Sequence, residues 1–599
     1  AKLALMAHML LCLSRITHIY QGETMTHEKL STDILIIGMG AAGQLAALYA
    51  YDANPDLNIT IVTKALKGKG GCSRMVQGGL NVVLNESDSH EKHLMDTLKG
   101  GQYVNDQDLA KTLVEEATPT IQEMETRFGC FFDRNPDGTI HQKPFAGQSF
   151  DRTVHKGDLT GIEMISRTTE QVMKRDIRVL EECRAVDLLL DSSGEEVTGA
   201  LLLDMRQGRF IVAEASATLV ATGGGPTQYR FHAPGPEKSV DGLGMLYRAG
   251  VVMRDMEMIQ FHPTGLIIPG SVVAGSLLEE GLRGAGAYLY NGQGERYMKN
   301  YAPDVAERAT RDVVSRSAFI EMLAGRECEE GGVRIDAAHM GSEFVLENFP
   351  GMCKRCRQFG YDLSREPVPV SPTAHFVMGG ADIDKDCHTS MERLFVAGED
   401  SGGVHGGNRL GGNGICESTV YGRQAGKSLA RYMDNNKSQP ADSAPGMVDE
   451  LIEKFTRPFA KENGEDAFKL RAELQECNWI KVGVVRNGND MEEAVREIAD
   501  LRGAAADIGL SGARPYNMLW NTYIDFMNML DVSDMVVASA LARKESRAAH
   551  YRSDFAEQND DIGLFNSFMI RGVDGLPEIS TKPVEFIYKT VEECRNYKK

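Results

Sequence analysis

The sequence contains few cysteines, and they do not form the pattern of a disulfide framework. Eleven cysteines are scattered over 599 residues, an odd number without the dense, regular spacing of small secreted proteins. The one close pair, Cys353 and Cys356, lacks a second pair for zinc and the following histidine that a c-type haem requires. We therefore expect a reducing compartment, no metal site, and two ordinary thiols on a helix.

Positive charge and long apolar runs are also scarce. With 85 acidic and 65 basic side chains, the formal net charge is −20, which argues against a surface for nucleic acid or anionic lipid. The apolar run at 3–13 is far shorter than the ~20 residues that span a bilayer. We expect neither a membrane anchor nor a signal peptide there, and interpret residues 1–24 as an N-terminal extension or as the result of a displaced start.

Buried strands that end at glycines recur along the chain. An apolar run after Thr32 leads into the turn at 38–43, Gly-Met-Gly-Ala-Ala-Gly, and then into a helix-like segment and a second strand at 58–63. Further short strands at 217–222 and 394–397 also stop at glycines. This pattern predicts a parallel sheet with a ligand at its carboxyl edge.

The first glycine turn has the form of a dinucleotide-binding loop. Its backbone can approach a pyrophosphate, and the helix after it offers free N–H groups. The acidic ribose partner expected after the second strand is replaced by Thr63-Lys64, which disfavours a typical NAD site. The glycine-dense block at 70–79 taken alone could be a flexible loop, but its position beside the dinucleotide favours a binding role.

Six stretches in a fixed order connect the sequence to a known family. They are QFHPTG, EEGLRGAGA, TRDVVSR, PTAHFVMGG, HGGNRLGGN and ARKESRAAH, and the similarity runs from about Thr32 to His550. The sequence thereby resembles the flavoproteins of fumarate reductase, succinate dehydrogenase and L-aspartate oxidase. The resemblance implies FAD as the cofactor and redox chemistry on a dicarboxylate.

Sequence pattern and resemblance together predict an α/β fold with three structural parts. These are a Rossmann-like FAD-binding domain, an inserted α+β capping domain and a C-terminal helical domain, which is indicated by a charged, helix-periodic stretch after Tyr432. The predicted limits are 25–255 and 372–433 for the FAD-binding domain, 256–371 for the capping domain, 434–555 for the helical domain and 556–599 for a tail.

The resemblance also implies which residues hold the cofactor. Glu399 would face the flavin's ribose, and Arg409, Gly412 and Asn413 would approach the isoalloxazine. The full set comprises Gly38, Gly40, Ala42, Gly43, Thr63, Lys64, Ser73, Gly78, Gly79, Asp158, Ala221, Thr222, Gly223, Asp241, Glu399, Arg409, Gly412 and Asn413.

A planar dicarboxylate needs two separated clusters of cations or donors. His262, His375 and Arg409 within the matching motifs, with Gln148, are candidates for such a clamp. Taken singly, His262 could be a structural turn residue and His375 a core histidine.

The resemblance assigns proton delivery to Arg311. Because the pKa of arginine stays above ~12, it needs a relay that restores its proton, and Glu280 and Arg283 match the family's proton path. The plain alternative for Glu280 and Arg283 is an ion pair on a helix surface.

Three positions depart from the family pattern. Glu279 stands where the family usually has a threonine that binds a substrate carboxylate, and its like charge would repel that carboxylate if ionised. Cys72 aligns with the histidine that commonly carries covalent FAD, so we expect non-covalent FAD. Glycines replace the usual serines around Asn413.

These features predict the flavoprotein subunit of a fumarate reductase or succinate dehydrogenase. The sequence has no iron–sulfur ligand run, haem motif or second dinucleotide fingerprint, so electrons must pass through another molecule. The resemblance implies an iron–sulfur subunit, membrane-anchor or quinone-reactive subunits, and a cytoplasmic location at the inner face of the cell membrane. The alternatives are a stand-alone L-aspartate oxidase, which the dehydrogenase-like segment Phe-Ala-Gly-Gln-Ser at 145–149 disfavours, and an FAD-bound scaffold without activity.

Overall fold

The computed structural model describes residues 27–597, except 146, 236, 272, 437–441 and 462. The predicted extension at 1–24 therefore lies outside the described residues. Within the described part, no helix has both the length and the apolar character needed to cross a bilayer.

A seven-stranded sheet forms the centre of the molecule. Five of its strands are parallel, since each of the four pairings between neighbouring strands in this group is parallel. An antiparallel pair continues the sheet from the first half of its longest strand. The parallel strands are, in spatial order, Ile177–Leu180, Ile59–Val62, Glu28–Ile37, Arg209–Val220 and Leu394–Val396, and the antiparallel pair is Cys183–Leu190 and Val197–Asp204.

The last parallel strand returns to the sheet from a distant part of the sequence. Leu394–Val396 pairs with the end of Arg209–Val220, with Val396 opposite Val220. The strands that end at Ile37, Val62 and Val220 have their carboxyl ends at the same edge of the sheet. Since these strands are apolar and buried on both faces, helices must cover the sheet.

Two helices on the sheet pack unusually closely. Asn413–Asn435 lies against Ala41–Ala53, and a Cβ atom on Gly422 would stand 2.6 Å from the carbonyl oxygen of Ala42. Glycine is therefore required at the contact. The other helices of this part are His90–Gly100, Gln107–Thr126, Thr160–Met173 and Asp241–Ala249, and a small sheet contains Leu80–Asn81, Gln142–Lys143 and Thr153–Val154.

The capping part contains its own antiparallel sheet and its own apolar core. Cys353 and Cys356 are buried there as free thiols on one helix. Among the described residues, no group of three or more His, Cys, Asp or Glu side chains is placed to hold a metal. The strands are Ile259–Leu266, Val368–Val377, Val333–Asp336 and Tyr288–Tyr290, and the helices are Glu280–Gly284, Met298–Tyr301, Arg311–Leu323, Ser342–Asn348 and Pro350–Gln358. We keep 256–371 as our proposal for the limits of this domain.

The C-terminal part packs four long helices against the rest of the chain. A hairpin follows and extends a second four-stranded sheet with Met253–Arg254 and Gly380–Ala381. The helices are Met447–Thr456, Ala467–Lys481, Gly488–Ala505 and Met518–Ala542, the hairpin strands are Phe565–Arg571 and Pro577–Pro583, and the short last helices are Asp560–Gly563 and Val591–Asn596.

Candidate active site

A cavity of about 300 Å³ runs along the carboxyl edge of the parallel sheet, within the size range of small-molecule sites. Its wall includes Gly38, Thr63 and Ala221, each of which directly follows a parallel strand. From there the cavity continues beneath the capping part to His262 and Arg311. It therefore joins the site predicted from strand ends to the charged cluster of the capping segment.

The glycine turn forms one end of the cavity as the sequence predicts. Gly38 has φ +117°, and a Cβ there would lie 2.1 Å from the carbonyl oxygen of Ala221, so only glycine fits. Gly40 is the N-cap of the helix Ala41–Ala53, and Ser73 Oγ accepts from the Ala41 N–H at 3.1 Å. The helix N-terminus thus faces the cavity and favours an anionic group.

A buried cluster of charged side chains lies against this end of the cavity. Asp241 Oδ2 lies 2.6 Å from Lys64 Nζ, and its other oxygen accepts from Arg184 at 2.5 Å. Burial alone would raise the pKa of Asp241, but Arg184 and Lys64 together hold it below its usual range. Asp241 is therefore an anion that fixes Lys64 in the cavity wall.

Glu399 and Asp400 follow the last parallel strand and have different roles. Burial raises the pKa of Glu399 to about 7 despite Lys238, whose Nζ lies 2.6 Å away. Asp400 accepts from the N–H groups of Gly223 and Gly224, both at 2.9 Å. Sequence reasoning missed Asp400, which holds the glycine loop in place from behind.

At the other end, one amide oxygen holds two guanidinium groups together. Gln260 Oε1 accepts from Arg311 Nη1 at 3.1 Å and from Arg409 Nη2 at 3.0 Å. Its amide nitrogen donates to Asn408 Oδ1 and to the Arg409 carbonyl. Sequence reasoning missed Gln260 as well, although it opens the QFHPTG motif that contains His262.

The two predicted histidines face each other and are neutral. The ring centroids of His262 and His375 are 5.6 Å apart. Burial and the nearby Arg311 and Arg409 lower the pKa of each well below its usual value. The Thr264 N–H donates to His262 Nδ1 at 3.3 Å, which leaves Nε2 as the N–H of that ring. Both residues can therefore serve as donors to an anion without carrying charge.

Arg311, Glu280 and Arg283 form a chain of alternating charge. Arg311 donates to Glu280 Oε2 from Nε and Nη2, and Arg283 Nη2 lies 3.5 Å from Glu280 Oε1. Glu280 and Arg311 line the cavity, whereas Arg283 is only 2 % exposed and lies behind Glu280. Burial, opposed by Glu280, lowers the pKa of Arg283.

Glu279 also lines the cavity, where it pairs with a residue that sequence reasoning missed. Its Oε1 lies 3.9 Å from Lys143 Nζ, and its backbone N–H contacts Met352 Sδ. Burial raises the pKa of the Glu279 carboxyl, and the Lys143 ammonium partly offsets this.

Four predicted contact residues lie outside the cavity wall. Gln148 Nε2 donates to Asn81 Oδ1 and to the Gly411 carbonyl, and Asn413 Oδ1 accepts from Asn81 at 2.7 Å. Gly43 allows the helix to pass the Gly38 carbonyl, and Asp158 lies against Gly351 of the capping part. These side chains support the cavity through other residues. The remaining predicted cofactor residues all line it.

Cys72 lines the cavity in the short turn Cys72–Met75. Burial raises the pKa of its thiol, so the thiolate required for covalent chemistry is disfavoured.

A parallel sheet with a glycine turn, an elongated cavity and a charged capping segment defines a dinucleotide-binding protein with a second, charged site. The FAD binding domain family matches residues 33–415, and the family of the fumarate reductase flavoprotein C-terminus matches 471–597. The chain belongs to the flavoprotein family of fumarate reductases and succinate dehydrogenases and is an FAD-dependent oxidoreductase. The match confirms the resemblance, the fold class and FAD as the cofactor.

Individual relatives span nearly the whole chain. The matching component of the fumarate reductase (CoM/CoB) of Methanothermobacter marburgensis is 37% identical over 536 residues, which cover 89% of this chain and 96% of that protein. FrdA of the Escherichia coli quinol fumarate reductase has a TM-score of 0.88 at 30% identity and covers 94% of this chain and 98% of that one. Sdh1 of Mycobacterium smegmatis has a TM-score of 0.85 at 34% identity, with coverage of 93% and 95%.

The residues of the cavity fit FAD. The glycine turn and the helix N-terminus suit a pyrophosphate, Glu399 offers an acceptor for a ribose hydroxyl, and the cavity then extends to Arg409 and Gly412. Arg409 Nε is buried and has no hydrogen-bond partner within the described residues, so a donor remains for a bound group.

Proposed function

We propose that this protein is the flavoprotein subunit of a fumarate reductase or succinate dehydrogenase and interconverts fumarate and succinate. One observation carries the proposal: the chain from Arg283 through Glu280 to Arg311 ends in the cavity, at the end that also holds Arg409 and the two histidines. Anion binding and proton delivery therefore meet at one place.

The cavity binds the two carboxylates of the substrate with donors of different kinds. Arg409 supplies charge and N–H groups. Gln260 accepts from Nη2, the Leu410 carbonyl accepts from Nη1 at 3.4 Å, and Nε is unpaired within the described residues. His262 and His375 add neutral N–H donors. Charge-assisted hydrogen bonds of this kind are stronger than neutral ones and fix the orientation of a planar anion.

Reduction of fumarate adds a hydride to one carbon of the double bond and a proton to its neighbour. Bound FAD would supply or accept the hydride, and we assign the proton to Arg311. Arg283 then passes a proton to the ionised Glu280, which passes it on to Arg311, and solvent replaces the proton of Arg283. Burial lowers the pKa of Arg283, which makes proton release from this guanidinium less costly than from an exposed one.

Electrons reach the flavin from a second protein. We propose an iron–sulfur subunit that is joined to membrane-anchor or quinone-reactive subunits, which places this chain at the cytoplasmic face of the cell membrane. The proposal is supported by similarity to the flavoprotein chains of quinol fumarate reductases. We also propose that FAD is held without a covalent bond, because Cys72 occupies the attachment position.

The L-aspartate oxidase alternative receives less support. The fumarate reductase C-terminal family matches through residue 597 and thereby includes the tail that resembles the dehydrogenases. Glu279 is the residue that would favour an amino-acid substrate, and Lys143 already opposes its charge.

One pair of assays tests the proposal. Purified, FAD-loaded protein should reoxidise reduced viologen anaerobically when fumarate is added, with succinate as the product. It should form no peroxide from L-aspartate in air. Peroxide formation from aspartate without fumarate reduction would replace the proposed function with an oxidase.

A further inference from the structure

Two oppositely charged residues meet across the substrate end of the cavity, and they belong to different parts of the chain. Lys143 ends the strand Gln142–Lys143 of the small sheet, and Glu279 directly precedes the helix Glu280–Gly284 of the capping part. Their side chains are 24% and 19% exposed, and Nζ lies 3.9 Å from Oε1. Within the described residues, Lys143 has no other ion pair.

This separation leaves the ammonium available to a ligand. At 3.9 Å the pair is an ion pair without a hydrogen bond, so the three N–H donors of Lys143 are not used by Glu279. The Phe145 ring, 5.7 Å from Nζ, supports the lysine from one side. Phe145 and Glu279 line the cavity, and Lys143 lies directly behind these two residues.

Lys143 also completes the charge of the substrate end. Both histidines are neutral there, so charge comes only from arginine, lysine and glutamate side chains. Arg355 lines the cavity too, and its Nη1 donates to the Leu277 carbonyl. Glu280 is paired with Arg311 and Arg283, whereas within the described residues the ion-pair partner of Glu279 is Lys143.

A dicarboxylate carries two negative charges, and Glu279 would repel the carboxylate nearer to it. Without Lys143, Glu279 has no ion-pair partner among the described residues to offset this repulsion. Like charges in a buried site disfavour binding strongly. Lys143 thus offsets the repulsion between Glu279 and the substrate carboxylate.

We propose that Lys143 is a specificity-determining residue, which neutralises Glu279 and donates to the substrate carboxylate farther from Arg409, so that the site selects dicarboxylates over monocarboxylates. This inference rests on the proposed function. The competing explanation is a purely mechanical one, in which the Lys143–Glu279 pair only tethers the capping part to the sheet.

A double-mutant cycle at Lys143 and Glu279 distinguishes the two explanations. The variants are Lys143→Met, Glu279→Gln and the double variant, and the readout is the perturbation of the FAD absorption spectrum during titration with malonate. Lys156→Met is the matched control, because Lys156 also lies near the small sheet but pairs with Asp133 away from the cavity. FAD content and thermal melting of each variant are measured first.

If Lys143 selects for the second carboxylate, Lys143→Met raises the malonate Kd about 10- to 100-fold, the scale of one lost hydrogen bond to a charged group. Glu279→Gln leaves the Kd unchanged or lowers it. The double variant recovers part of the lost affinity, because the unopposed charge of Glu279 is gone while the hydrogen bond from Lys143 is still absent. Propionate, with one carboxylate, should bind the parent and Lys143→Met about equally.

Two results would overturn the inference. One is a Kd for Lys143→Met within about threefold of the parent. The other is a double variant as weak as Lys143→Met, which is the result of a mechanical tether. Should Lys143→Met fail to retain FAD, Lys143→Arg and Lys143→Gln repeat the comparison, and only the charged variant should keep parent affinity.

The failure of the inference is distinct from that of the proposed function. A parent protein that neither responds to malonate nor reduces fumarate removes the proposed function and this inference with it. A parent that does both, with a Lys143→Met variant that behaves identically, removes only the inference.

Discussion

Arg311 directs two hydrogen bonds to a single carboxylate oxygen of Glu280, from Nε at 2.9 Å and from Nη2 at 2.8 Å. The two residues begin separate helices of the capping part. Because this contact uses one edge of the guanidinium, Nη1 remains beside Gln260. The geometry thus orients Arg311 before any substrate binds, which is the preorganisation that proton transfer requires.

Arg311→Gln should nearly abolish fumarate reduction while FAD stays bound, because Arg311 is assigned to proton delivery. The expected loss in kcat is ~10²–10⁴-fold, the usual contribution of one acid–base group. Anaerobic viologen oxidation and the flavin spectrum measure both properties. Arg316→Gln is the control, since Arg316 is on the same helix but stacks on Tyr551, 4.7 Å from the ring centroid. Activity of Arg311→Gln within a few-fold of the parent would remove Arg311 from this role.

Arg409→Ala should weaken succinate, fumarate and malonate binding together, because it removes a charge-assisted contact that all three share. A loss of ~1.5–3 kcal/mol is expected for a hydrogen bond to a charged group. Malonate titration of the flavin spectrum measures it directly. An unchanged malonate Kd would exclude Arg409 from the clamp.

Gln260→Leu should lower activity even though Gln260 is not assigned to the chemistry. Without its amide oxygen, the guanidinium groups of Arg311 and Arg409 would lose the acceptor that holds them together. We expect a fall in kcat/KM of about tenfold, the scale of one hydrogen bond to a charged group. Steady-state kinetics with FAD content as the reference checks it, and parent kinetics would show that the bridge is dispensable.

Malonate affinity should show no step near pH 6.5. Cationic histidines would lose charge as pH rises through that value, and the affinity for an anion would fall. Since the pKa values of His262 and His375 lie well below 6.5, both are already neutral at pH 6. The titration is best made from pH 6 to 8 in Glu279→Gln and again in Glu279→Gln with Glu399→Gln, so that neither raised carboxyl pKa contributes. A fall of tenfold or more across pH 6.5 would contradict neutral histidines.

FAD should be released from the protein by acid. By resemblance, Cys72 aligns with the histidine that commonly carries covalent FAD, and burial raises the pKa of its thiol, so little of the reactive thiolate forms. After acid precipitation, yellow colour in the supernatant is expected. Colour that remains in the washed pellet would show a covalent flavin, and Cys72→Ala would then identify or exclude this thiol.

The general fold could be predicted because a buried strand that ends at glycines is a local sequence signal of a parallel sheet with a ligand at its carboxyl edge. Leu394–Val396 is only three residues long, yet its Gly398-Glu399 ending marked it as part of the same edge. The motif that contains Arg543, Glu545 and Arg547 is harder to interpret, because its alternating charges would also suit the salt-bridged surface of a helix. In the structure the helix ends at Ala542, and these charged side chains are buried against each other.

The residues that sequence reasoning missed act through tertiary contacts. The roles of Gln260 and Asp400 depend on the N–H groups that donate hydrogen bonds to them. Those donors lie far away in the sequence. Lys143 and Glu279 lie far apart in the sequence and belong to different parts of the fold. Conversely, Gln148 and Asn413 were placed at the ligand by resemblance, whereas both side chains bond to Asn81. Which face of a loop meets the cavity cannot be deduced from spacing alone.

The proposed function requires that reduced flavin in this chain passes its electrons to fumarate. The most direct measurement is a single turnover, in which FAD-loaded protein is reduced anaerobically, freed of reductant and mixed with fumarate in a stopped-flow instrument. We predict that the flavin absorbance recovers fully and that one succinate forms for each FAD. A flavin that stays reduced in the presence of saturating fumarate, but is reoxidised when air is admitted, would contradict the claim.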